Sequence, residues 1–237
     1  MSEAGDILFK GLTIVSIFFI ILIVFSQTVL PPLVSKTAET RLLTATHAEK
    51  ADVNISTSPA ILFLLGQIDH IDMTAENAMI GQVRVKELRL KGENVHIDIR
   101  SFVQDGGEVV RSADKLELTG IIGVENLTDL LTRKVDKLKD AEVTITPTGV
   151  KVTGNILIAG RKADVSLEGT ILGEDGAVYF HMTKLNIHNA ILGKAVISNF
   201  FGDILLTDLK VLPFKVELDD VVQKNDEVVI TASYHNK

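Results

Sequence analysis

From Ile68 to the C-terminus, apolar residues recur at every second position along most of the chain. Val83 and Val85 alternate with Arg84 and Lys86, and Val95, Ile97 and Ile99 alternate with His96, Asp98 and Arg100. A period of two sends successive side chains to opposite faces, so each run predicts a strand with one buried and one solvated face. Between these runs Leu88 and Leu90 carry the apolar phase in the opposite parity, which predicts a bulge near Glu87. The same alternation returns at Leu116/Leu118, Val143/Ile145, Val150/Val152, Val165/Leu167, Val178/Phe180, Val216/Leu218 and Val228/Ile230. Asp105-Gly106-Gly107, Pro147-Thr148-Gly149, Glu174-Asp175-Gly176 and Asn225-Asp226 are turn sequences between them. Connections this short cannot carry a parallel crossover, so the sheet is expected to be antiparallel and apolar on one face.

Four stretches depart from the period of two. Leu33 to Lys50 reads as a helix with Val34, Ala38, Leu42 and Ala45 on one weak stripe. Ala60 to Leu65 is six apolar residues behind Ser58-Pro59, read as N-cap and first helical position, with Gly66 as a left-handed stop. Asn126 is placed as the cap of a helix over Leu127 to Leu138. From Ala190 to Gly202 the only charge is Lys194, so a helix over Ala190 to Leu206 would be apolar nearly all round. Such an element must be covered by the sheet, a bound lipid or a bilayer. For Ala60–Leu65 two readings stand: a plug at one end of the core, or a gate or contact at a lipid-binding mouth.

The N-terminus is patterned differently again. Gly11 to Ser35 holds twenty-five residues without a charge, and Leu12 to Phe25 is almost continuously apolar. About 20 apolar residues are needed to cross the hydrocarbon core of a bilayer as a helix. The run predicts one transmembrane helix over 11–32, stopped by Pro31-Pro32. Its start is poorly basic, it is long, and it lacks a clean small-x-small cleavage triplet, so a retained signal anchor is expected rather than a cleaved peptide. Residues 1–10 would form a short cytoplasmic tail, and 33–237 one extracytoplasmic domain.

Composition narrows the chemistry. Net charge is −7 and Trp is absent, so nothing resembles a basic nucleic-acid footprint, and the core must be built from Val, Ile and Leu. There is no cysteine, which removes disulfides and thiolate catalysis. His70-Ile71-Asp72 and His96-Ile97-Asp98 each put a histidine and a carboxylate on one strand face, a weak metal-ligand pattern on what should be a solvated surface. Asp219 and Asp220 alternate faces and cannot act together. With no phosphate loop and no nucleophile elbow, neither an enzyme nor a cofactor is expected.

Several ordered stretches carry a family resemblance. They are Leu30-Pro-Pro, Leu65-Gly-Gln-Ile-Asp-His-Ile and Thr74-Ala-Glu-Asn-Ala-Met-Ile-Gly, then Val124-Glu-Asn-Leu-Thr-Asp-Leu-Leu and Ala141-Glu-Val-Thr-Ile-Thr-Pro-Thr-Gly-Val, and finally Leu212-Pro-Phe-Lys-Val-Glu-Leu-Asp-Asp-Val. Over roughly 31–233 the chain resembles the LmeA-like phospholipid-binding proteins of bacteria. The resemblance implies a tubular lipid-binding-like fold, in which a twisted antiparallel sheet wraps a helix and encloses acyl chains. It supplies no catalytic or binding residues to carry over.

The expectation is therefore an α+β protein: an N-terminal transmembrane helix, then a long twisted antiparallel sheet around one or more apolar helices. It would sit in the bacterial cytoplasmic membrane as a single-pass protein and bind or transfer phospholipid or another acyl lipid in an apolar cavity. The candidate lipid-contacting residues are Ile61, Leu62, Leu64, Leu65, Ile191, Leu192, Val196, Ile197, Phe200, Phe201 and Leu205. A scaffolding domain of the envelope with a dry core predicts the same alternation. A continuous apolar cavity above about 300 Å³ would favour binding, and a close-packed interior would favour the scaffold.

Overall fold

The computed structural model describes residues 27–104, 109–135, 138–158, 161–188, 203–212 and 214–235. The described residues form two antiparallel sheets and a few short helices. The first sheet holds β1 (Lys50–Ser56), β2 (Gln67–Ile80), β3 (Val83–Ile97), β4 (Val110–Ser112), β5 (Lys115–Gly123), β11 (Glu217–Lys224) and β12 (Glu227–Ser233). Its order is β1-β2-β3-β5-β12-β11, with β4 paired to β3. The second sheet runs β10-β9-β8-β7-β6, from β6 (Lys139–Thr146), β7 (Gly149–Ile158), β8 (Arg161–Glu174), β9 (Ala177–His188) and β10 (Asp203–Asp208). The C-terminal hairpin returns to pair with β5, so the second sheet is inserted between two parts of the first.

The expected single sheet is thus two, and helix α3 (Val124–Lys134) is the point of division. It leaves β5 and crosses to β6, packing on β3, β5 and β6. Its cap is Gly123 rather than Asn126, and the helix stops at Lys134 rather than Leu138. The predicted apolar stripe is nonetheless the buried one: Leu127, Leu130 and Leu131 are almost fully buried. Each such leucine stabilises the fold by about 1.5–3 kcal/mol. They join Val83, Val85, Leu118, Ile122, Ile145, Val152, Leu167 and Phe180 in one cluster between the sheets.

The phase change in β3 has a different cause from the one its sequence predicts. Pairing between β2 and β3 keeps one register from Ile80↔Val83 to Gln67↔His96, so no residue is inserted at Glu87. Instead Asn77 lies at φ +53°, and buried positions switch from Ala78 and Val85 to Ala75 and Leu88 across it. A left-handed residue reorients the local peptide planes and reverses which parity faces inward. Asparagine tolerates that conformation better than most side chains. Asn94, at φ +48°, marks a second reversal before Val95.

Three other elements differ from expectation. Helix α1 occupies 27–46 of the described residues and runs through Pro31-Pro32, where a stop was expected. A proline removes one backbone donor and crowds the preceding turn. Here Leu30, Val34 and Ala38 pack that helix onto a second core cluster with Ile55, Phe63, Ile68, Val95 and Leu116, which offsets the loss. Ile99 does not continue β3. Asp98 Oδ1 accepts from Ser101 N at 3.0 Å and starts a short helix, α2 (Ile99–Gln104). Asp203 to Leu206, expected at the end of an apolar helix, belongs to β10 and pairs with β9. The predicted anchor lies outside the described residues over 11–26, and 27–32 are the first described turns of α1. Among the described residues, no helix is long and apolar enough to cross a membrane.

Candidate functional site

The inner face of the first sheet is apolar along Val83, Val85, Leu118, Ile122, Val228 and Ile230, all buried. Ile80, Val83, Val85, Leu118, Gly120, Ile122, Ile230 and Ala232 line a narrow, partly open void of about 20 Å³, roughly the room of one water. Thr207 and Leu209 close it from the side of β10 and the 3₁₀ turn Leu209–Val211. That closing segment is held to both sheets. Thr207 Oγ1 donates to Ile80 O at 3.4 Å, and Leu209 N donates to Gly176 O at 3.0 Å. Outside Leu209 lies an open cleft of about 370 Å³. Its apolar walls are Leu209, Val216 and Leu218, and its rim carries Glu174, Asp175, Lys210 and Glu217. Leu209 therefore stands between an outer cleft large enough for a small ligand and an inner void that is not.

A second apolar feature lies at the opposite end of the first sheet. Ala60–Leu65 is a 3₁₀ turn capped by Pro59, with Gly66 left-handed at φ +77°. Ser58 is not the cap; its backbone N–H donates to Asp69 Oδ2 at 2.7 Å. Ala60 and Phe63 face the core and are buried, which anchors the turn. Leu64 and Leu65 face outward, 64% and 76% exposed, with Ile61 also exposed and Leu62 half-buried. Leu64 and Leu65, with Ile97, Asp98, Ile99, Arg100 and Arg111, line an open cleft of about 320 Å³. Arg111 is ion-paired with Asp98, and the Ser101 backbone bond, then that guanidinium, hold the Asp98 carboxyl below the usual carboxylate range.

Of the residues singled out by sequence, Ile61, Leu62, Leu64 and Leu65 share this turn, partly plug and partly exposed surface. Leu205 is 42% exposed on β10, far along the chain from them. Ile191, Leu192, Val196, Ile197, Phe200 and Phe201 lie outside the described residues. Among the described residues, the apolar features include the narrow void and the two open clefts. Sequence periodicity missed Thr207 and Leu209, because a short bulged strand followed by a 3₁₀ turn has no period to detect.

The polar candidates resolve into surface interactions. His70, Asp72 and His96 are exposed, and Asp98 is committed to Arg111 and the α2 cap. No cluster of three or more metal-ligating side chains occurs among the described residues. Asp219 accepts from Ser233 Oγ at 2.9 Å, while Asp220 accepts from the Val221 N–H at 2.8 Å.

Comparison with known proteins places the chain in a family. No curated protein and no solved structure matches the chain. A family model described as LmeA-like phospholipid-binding matches residues 27–233, from the first described turn of α1 to the end of β12, and the chain belongs to that family.

Proposed function

We propose that this protein is a membrane-anchored phospholipid-binding or lipid-transfer protein of the bacterial cell envelope, with its domain outside the cytoplasmic membrane. The observation that carries the reading is the apolar lining of the first sheet's inner face at Ile80, Val83, Val85, Leu118 and Ile122, bounded at one end by Thr207 and Leu209 and bordered there by an open cleft. Acyl chains would enter from that cleft past Leu209 and spread along Val85, Leu118 and Ile122. Glu174, Lys210 and Glu217 on the rim would meet the polar headgroup. The uncharged, apolar stretch that begins at Gly11 supplies the residues that would hold the protein in a bilayer.

The scaffold reading has an observation of its own, since the inner void of about 20 Å³ is too small for an acyl chain. Under the binding reading, the closing segment gives way on loading. Gly120 separates the two. A Cβ there would lie 3.9 Å from Ile80 and Val85, ordinary contact with the void beyond. Gly120→Val should fold and melt at or above the parent temperature, because it fills space and removes a strand glycine. Uptake of a fluorescent phospholipid by the same variant should fall severalfold. Unchanged uptake would move the binding site elsewhere, and no uptake by either protein would favour the scaffold.

A further inference from the structure

The Leu64–Leu65 turn has no role in the void and cleft beside Leu209, and its position in the fold is specific. Two of its leucines are among the most exposed large apolar side chains described, at 64% and 76%, although Ala60 and Phe63 fix the turn rigidly to the core. Gly66 holds the turn against β3: its carbonyl accepts from Ile97 N at 2.8 Å. Ile99, also exposed, borders the same cleft with Arg100 and Arg111. The charged residues lining that cleft are these two arginines and Asp98, which is paired with Arg111.

The direction of α1 says what lies beyond this surface. Ser35 Oγ accepts from Ile55 N at 3.2 Å, so α1 runs antiparallel to β1 with Ser35 beside its C-terminal end. Residue 27 is then about 12 Å further along the helix axis. β1 ends at Ser56, opposite His70, and β2 extends three residues past that pair to Gln67. Both the start of the described chain and the Leu64–Leu65 turn therefore project beyond the same end of the sheet. The uncharged stretch that begins at Gly11 enters the domain there.

We propose that Leu64, Leu65 and Ile99 insert into the surface of the anchoring bilayer, with Arg100 and Arg111 at the level of anionic phospholipid headgroups. This inference rests on the reading of 11–32 as an anchor. Exposed leucines gain by entering the acyl boundary, and arginines beside them gain from negative lipid. A bilayer tethered at residue 27 is always within reach, which a freely diffusing partner is not. Docking at this end also points the outer cleft beside Leu209 away from the membrane. Val211 lies against Gly81, in the turn at the far end of β2 from Gln67.

The chain has no tryptophan, so one introduced indole reports its own depth. Full-length Leu65→Trp and Val222→Trp are reconstituted into vesicles of phosphatidylcholine and phosphatidylglycerol, with or without brominated acyl chains. Val222 is 40% exposed on β11 and level with Glu76, roughly 30 Å along the strands from Gln67. Bromine should quench Leu65→Trp about twofold or more and leave Val222→Trp unchanged. Arg100→Glu in the Leu65→Trp background should lower the docked fraction about fivefold on these vesicles. If the protein floats with the vesicles but Leu65→Trp is not quenched, docking is overturned and the anchor stands; a second copy seated on the turn would give this result. If Arg100→Glu leaves quenching intact, the headgroup contact is overturned. Failure to float at all overturns both docking and anchor.

Discussion

Gly66 joins the 3₁₀ turn to β2 at φ +77°, and a Cβ there would collide with the Ile97 carbonyl oxygen. Left-handed backbone and the collision both disfavour any side chain, so Gly66→Ala should lower unfolding free energy by about 2–4 kcal/mol. Urea titration followed by circular dichroism measures it; a loss within the scatter of surface substitutions would show that the turn adapts freely. The sequence anticipated this glycine, because a left-handed stop after an apolar turn follows local rules. It did not reveal Asp98 as the start of α2, since Val95, Ile97 and Ile99 keep strand alternation across the boundary. Asp98 also gives a pH dependence. Its folded-state pKa is depressed, so its contribution is present above the unfolded value of about 3.9 and is lost as pH falls through the folded one. The Asp98–Arg111 corner should stay intact down to about pH 4 and open below it. The Ser101 amide resonance followed against pH reports this directly, and a transition near neutrality would contradict it.

At the scale of elements, α3 supports the interior most directly. Leu130 is 1% exposed between the sheets, and Leu130→Ala should cost about 2–5 kcal/mol, read from the shift in denaturation midpoint at constant slope. A cost near zero would mean that the interior collapses around the lost volume, as a loosely filled lipid chamber would. Strand existence and the buried stripe of α3 were legible because both rest on periodicity sustained over many residues. The split into two sheets was not. It depends on β12 pairing with the distant β5 as well as with its neighbour β11, a choice that alternation alone does not encode. The parity switch at Asn77 was visible in Leu88 and Leu90, but an inserted residue and a left-handed one leave the same trace in sequence.

Across the whole molecule, the exposed leucine turn and the cleft beside Leu209 lie at opposite ends of β2, separated by roughly 40 Å of strand. One end meets the chain's uncharged N-terminal stretch; the other opens onto the apolar face of the first sheet. The sequence nominated the first end, through Ala60–Leu65, and missed the second, whose closing residues come from a short irregular segment. The central claim is that this interior takes up phospholipid. Native mass spectrometry of residues 27–237, purified from cells without added lipid and incubated with phospholipid vesicles, tests it most directly. The account predicts a protein-plus-one-lipid species that Gly120→Val depletes. A lipid-free mass at every vesicle concentration, from a protein that circular dichroism shows to be folded, would contradict it.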